Sequence, residues 1–129
     1  MSNKYLDILT RIVRHPRHPV QESGTIAITI QRAKPMSEAV AAPEVIDLSR
    51  GGCRLRWGER LQKSEPITFC FADTANGLTL ELPATVRWCR ECNGDQFESG
   101  CQFDQEIDYE QLGELFLAGF LSTEEVAAE

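Results

Sequence analysis

No stretch of the chain reaches 18 consecutive apolar residues, so no helix is expected to cross a membrane. The opening Met1-Ser2-Asn3-Lys4 lacks the apolar region of a secretory leader, and the expected location is cytoplasmic. Five cysteines, an odd number, do not make a complete disulfide framework and fit a reducing compartment. Only two histidines are present, both in His15-Pro16-Arg17-His18-Pro19, with no other metal ligand nearby, so no metal is expected there. A phosphate-binding glycine loop and a nucleophile elbow are also missing, and nothing points to an enzyme. From Asp104 onward there are eight acidic residues and no basic one.

Charge is unevenly spread. The net charge is −7, yet residues 1–34 hold six basic side chains against two acidic ones. An acidic body argues against general binding to DNA or RNA, which needs many basic contacts. A basic arm on that body suits a small anionic ligand or one acidic partner surface.

At 129 residues and 42% apolar composition, the chain is one domain with enough material for a core. Three parts are expected: an N-terminal helix and basic arm over 1–20, a barrel with its closing helix over 21–121, and an acidic tail over 122–129. Tyr5, Leu6, Ile8, Leu9, Ile12 and Val13 recur at helical spacing, and the helix must stop before Pro16. The His-Pro stretch after it reads as an extended linker.

Strands follow, each with period-two alternation. Gly24 to Gln31 is rich in β-branched residues. In Val45 to Ser49, Ile46 and Leu48 are expected inward, with Asp47 and Ser49 outward. Gly51-Gly52 then offers positive φ and close backbone approach. Cys53, Leu55 and Trp57 face in, leaving Arg54 and Arg56 outward beside Asp47. Pro66 to Ala72 turns in Ile67, Phe69 and Phe71. Leu78, Leu80 and Leu82 alternate until Pro83, where a break or bend is expected. Thr85 to Arg90 puts Val86 and Trp88 on one face. Asn93-Gly94 predicts a type I′ hairpin returning through Gln96 to Phe103. Ile107 to Leu121 is the closing helix, its stripe made by Leu112, Leu115, Phe116, Gly119 and Phe120. The apolar stripes of the two terminal helices could pair between subunits, giving a homo-oligomer.

Cys89-Arg90-Glu91-Cys92 has the spacing of a zinc or dithiol pair. On a strand, however, the two side chains face opposite sides, and no second pair completes four ligands. Cys53 and Cys101 fall on core-facing positions, where cysteine packs as a small hydrophobe.

Asp47-x-Ser49-x-x-Gly52 at a strand-to-turn junction, an arginine-bearing arm about thirty residues earlier, Val86-Arg87-Trp88, Gly100-Cys101-Gln102-Phe103 and a terminal helix together resemble the PilZ domain family. The resemblance covers roughly residues 11–121. It implies an all-β fold, a six-stranded antiparallel barrel, that binds the second messenger cyclic di-GMP, with no catalytic residue and no further cofactor. The family's later arm arginine corresponds to Arg17, and its Asp and Ser to Asp47 and Ser49. Gly52 would allow close approach, and Arg50 and Arg11 border the site. The family's earlier arginine is expected four residues before Arg17, where this chain has Val13; Arg14 is one residue late. A receptor whose surface changes for a protein partner is one expectation. A degenerate domain that acts only through a protein partner is the other.

Overall fold

The computed structural model describes residues 16–21, 26–33, 41–75, 77–122 and 124. The expected N-terminal helix, Arg11 and Arg14 lie outside them. Seven strands form one antiparallel sheet: β1 (His18–Pro19), β2 (Ile26–Arg32), β3 (Glu44–Leu48), β4 (Gly52–Trp57), β5 (Pro66–Asp73), β6 (Leu78–Asn93) and β7 (Gln96–Phe103). Their order across the sheet is β1-β3-β4-β7-β6-β5-β2. One helix follows, α1 (Tyr109–Leu117). The class is all-β, as expected, with one strand more than six. The extra strand is His18–Pro19, read above as a linker, which pairs with Asp47 and Leu48.

β6 is the longest element, and Pro83 does not break it. Residues 78–85 of β6 pair with β5, and residues 84–93 pair with β7. The Pro83 carbonyl accepts from Asp104 N–H beyond the last β6–β7 pair. Its nitrogen faces the same way, so the missing donor costs no ladder bond.

Of three register shifts in the sheet, one lies beside the β6–β7 turn, between Glu91 and Asn93, and the other two change the expected alternation. Val45 pairs with Leu55 and Asp47 with Arg54, so Ile46 is the extra residue. Val45, rather than Ile46, joins Leu48 in the core. In β6, Val86 pairs with Cys101 and Trp88 with Gly100, leaving Arg87 over. Val86 stays buried while Trp88 turns to the outer face, 39% exposed.

The inner face fills with Leu48, Cys53, Leu55, Phe69, Phe71, Val86 and Phe103, all buried. Phe69 meets Phe103 edge to face at 6.1 Å, and Phe71 meets Phe120 at 5.5 Å. Each such pair adds about 0.5–1.5 kcal/mol beyond burial. The fully buried Leu115 brings α1 onto this core.

The helix is shorter than the predicted 107–121. Asp108 caps it by accepting Gln111 N–H at 2.7 Å. Gly119, at φ 77°, ends it: Gly119 N–H reaches the Phe116 carbonyl and Phe120 N–H the Leu115 carbonyl. Gly119 is therefore a terminator, not part of the stripe. The β6–β7 hairpin turns through Gly94-Asp95, between paired Asn93 and Gln96. Only Gly94 has positive φ there, at 57°, so the turn is of the II′ kind rather than I′.

Candidate functional site

One row of residues crosses the outer face of the sheet. Pro19 pairs with Asp47, Asp47 with Arg54, Arg54 with Gly100, and Gly100 with Trp88. Cross-strand partners lie about 5 Å apart, so five strands bring these positions onto one strip.

Asp47 is the centre of the strip. The Ile46 bulge keeps it on the face opposite Leu48, as expected, but it is not exposed: only 1% of it is accessible. Arg54 lies over it, with a terminal nitrogen 3.0 Å from Oδ2. Arg17, 60% exposed, approaches Oδ1 at 3.9 Å. Neither contact is aligned as a hydrogen bond, and both carboxylate oxygens and Arg54 Nε lack a hydrogen-bond partner among the described residues. A buried carboxylate is normally fully hydrogen-bonded, so this one holds unused accepting capacity beside two guanidiniums.

Ser49 forms the turn beside it. Its hydroxyl accepts Gly51 N–H at 3.2 Å and lies 3.4 Å from the Gly52 carbonyl, while Ser49 N–H donates to that carbonyl at 2.8 Å. Neither Gly51 nor Gly52 has positive φ. Gly52 serves the second purpose named above, close approach, but toward the protein itself. A Cβ there would stand 2.2 Å from the Cys101 carbonyl oxygen of β7.

Arg50 points away from the strip. Its Nε donates to the Ile107 carbonyl at 2.7 Å, its guanidinium lies 3.8 Å from the Tyr109 ring centre, and Glu106 is 3.7 Å away. It fixes the start of α1 to the hairpin. The structure thus brings together Arg17, Asp47 and Ser49, and separates Arg50 from them.

Three further residues, Glu98, Arg56 and Arg90, extend the strip by a second row. Glu98, buried, sits directly opposite Arg56 on one side and Arg90 on the other. Arg90 is 3.1 Å from its carboxylate, Arg54 3.6 Å and Arg56 3.8 Å. Trp88 lies across Gly100, whose missing Cβ makes room for the ring, and Arg90 stands 5.2 Å from the ring centre. Alternation alone places Arg54 and Arg56 beside Asp47. Glu98 and Trp88 become visible only through the ladder register and the Arg87 bulge.

Beneath Asp47, Cys53 pairs with Cys101 on the inner face. Burial pushes the Cys53 thiol well above its ordinary value, the hydrogen bond to Cys101 raises it further, and Asp47 adds to the effect. All five thiols are free. Cys89 packs against the core and Cys92 is exposed, its Sγ 3.4 Å from the Gln96 carbonyl, so the two do not converge. Among the described residues, no group of three or more metal-ligating side chains forms, and no helix is long and apolar enough to cross a membrane.

The family model for the PilZ domain matches residues 12–118. The chain belongs to the PilZ domain family, whose members are binding and adaptor domains and generally take cyclic di-GMP. Among solved structures, it is similar to "Structure of Bacillus subtilis Inhibitor of motility (MotI/DgrA)", with TM-score 0.52 and 14% identity. The match covers 81% of this chain and 48% of that one, so the chain spans about half of that protein's length. At this identity the likeness concerns the fold. No curated protein matches the sequence.

Proposed function

We propose that this chain is a cyclic di-GMP receptor whose ligand lies on the outer strip, between the Arg17 arm and Asp47, and whose changed surface is read by a protein partner. The observation that carries this is Asp47. A buried carboxylate with no aligned hydrogen bond, held between two arginines, stands at the Asp position of the family motif. The ligand offers what these groups lack. Its phosphates and the O6/N7 edge of guanine match a guanidinium fork, and the N1–H and N2–H edge donates to a carboxylate. For that edge to reach Asp47, Arg54 must swing aside and take a ligand acceptor instead.

The arm supplies the rest. Residues 1–20 are the basic segment in this reading, and the ligand draws residues 11–18 onto the face of the barrel assigned to residues 21–121. Arg14 is three residues before Arg17, a reach of about 10 Å in extended chain, enough to span two strands. Arg11 can extend it further. The domain carries no chemistry of its own in this reading and acts in the cytoplasm.

Calorimetric titration with cyclic di-GMP, using GTP as control, tests it. Saturable micromolar binding absent for GTP is the expected result. No heat up to about a millimolar, which bounds affinity at roughly 4 kcal/mol, would overturn it. The second reading, an adaptor that binds no nucleotide, has one favouring observation. Tyr109 and Leu117 on α1 are exposed, Leu117 by 90%, a surface that suits a protein partner.

A further inference from the structure

We propose that Arg54, Arg56 and Arg90, gathered on Glu98 and bordered by Trp88, form a second anion subsite that takes a phosphodiester with its adjoining base. The inference rests on the cyclic di-GMP reading and extends it. One half of the ligand sits at Arg17 and Asp47, and the other lies toward β6.

Register and charge carry the inference. Arg56, Glu98 and Arg90 are direct cross-strand partners on β4, β7 and β6, and Arg54 reaches the same carboxylate from the next outward position of β4. Four arginines of this face share two carboxylates, Asp47 and Glu98, so two positive charges have no carboxylate of their own. Glu44, opposite Arg56, makes no ion pair with them among the described residues but still offsets one of these charges, so the face keeps a net surplus of one. In a chain of net charge −7, such a surplus is a local attraction for an anion.

Preorganisation carries it further. Arginine side chains lose much rotamer freedom when they bind, and a buried carboxylate that already holds three of them removes part of that cost. Arg54 Nε is buried without a partner, an unused donor within the cluster. Guanidinium forks fit phosphate oxygens two at a time. Beside them, the Trp88 ring rests on a glycine and keeps exposed surface, a platform on which a base can stack. An acidic protein segment would use the charges but not the ring, so a nucleotide fits the whole arrangement better. Glu98 is a positioning residue in this scheme.

The test uses the full chain and two probes. Cyclic di-GMP is titrated by calorimetry into the wild type, Arg56→Ala and Arg90→Ala. 5′-GMP is titrated while the indole N–H resonance of Trp88 is followed by NMR. Trp57 gives a separate reference, since its Nε1 is bonded to the Ala41 carbonyl. Each variant should weaken cyclic di-GMP about tenfold or more at an unchanged melting temperature. 5′-GMP should shift Trp88 saturably in the wild type and not in Arg90→Ala. Cyclic di-GMP binding that ignores both substitutions, with Trp88 unmoved, would overturn the subsite and leave the proposed function standing. Absent cyclic di-GMP binding with an Arg90-dependent response to 5′-GMP would do the reverse. If neither probe binds, both fall. Glu98→Gln keeps the side chain's shape and removes one negative charge from the face. A fall in 5′-GMP affinity supports positioning, because charge alone predicts a rise, and a rise would sink that role.

Discussion

Arg54 and Asp47 face each other directly across the β3–β4 ladder, a guanidinium nitrogen 3.0 Å from a carboxylate with 1% of its surface exposed. The pair lies between the arm and the rest of the strip, so its energetics bear on both folding and binding. Removing Arg54 leaves Asp47 buried with only the longer Arg17 contact. Arg54→Ala should destabilise the fold by about 1–3 kcal/mol, less than a fully buried pair because Arg54 keeps some water contact. Asp47→Ala removes the uncompensated charge, so the double variant should be less damaged than the sum, with coupling of about 1 kcal/mol or more. Urea unfolding of the four proteins measures this. Additive losses within about 0.5 kcal/mol would mean the two groups do not interact.

On the proposed reading, Arg17 bears on binding rather than stability. Its side chain is mostly exposed and its contact with Asp47 is long. Arg17→Ala should keep the melting temperature and lower cyclic di-GMP affinity by roughly ten- to a hundredfold, the value of one charge-assisted contact. Unchanged affinity by calorimetry would show that the arm is wrongly assigned.

Gly52→Ala tests why the motif ends in glycine. A methyl group would stand 2.2 Å from the Cys101 carbonyl oxygen, and backbone on both sides must move to admit it. The loss should be about 3 kcal/mol in thermal or urea unfolding. A variant as stable as the wild type, but weaker for ligand, would reassign Gly52 to ligand contact.

Cys53 gives a pH dependence with a defined sign. Its thiol is raised in the folded state, chiefly by burial. Below the unfolded value of about 8.5 the group is protonated in both states, and its contribution is fully present. Above it, the unfolded chain releases a proton that the folded chain retains, so stability falls as pH rises toward the folded value. Unfolding free energies at pH 7.5 and 9.5 should differ by more in the wild type than in Cys53→Ala. Equal slopes would mean that Cys53 does not contribute.

Much of this was legible in the chain because alternation is a local signal. Ile67, Phe69 and Phe71 announced their strand, and Asp47 with Arg54 and Arg56 announced a polar outer face. The bulges at Ile46 and Arg87 were not legible, since an extra residue depends on the partner strand rather than on its own side chain. That is why Val45 displaced Ile46 and why Trp88 turned outward. Glu98 stayed hidden for the same kind of reason: nothing in Gln96 to Phe103 says that two arginines will stand opposite it. The helix end was in view as Gly119, but a glycine in an apolar stripe serves either as spacer or as cap, and only the backbone angle decides.

The segment that carries Arg17 is held from both sides. Val20 N–H bonds the Ile46 carbonyl, and on its other flank Gln21 N–H bonds Phe120 and Ser122 N–H bonds Pro19. Residues 19–21 and 120–122 are therefore one seam, closed between positions about a hundred apart. A seam of so few bonds opens from its end like a zip, at far lower force than the long β5–β6 ladder. Anything that disturbs residues 120–122 would therefore act on the arginine arm before it reaches the rest of the sheet, which makes this short join a coupling between the end of α1 and the outer strip.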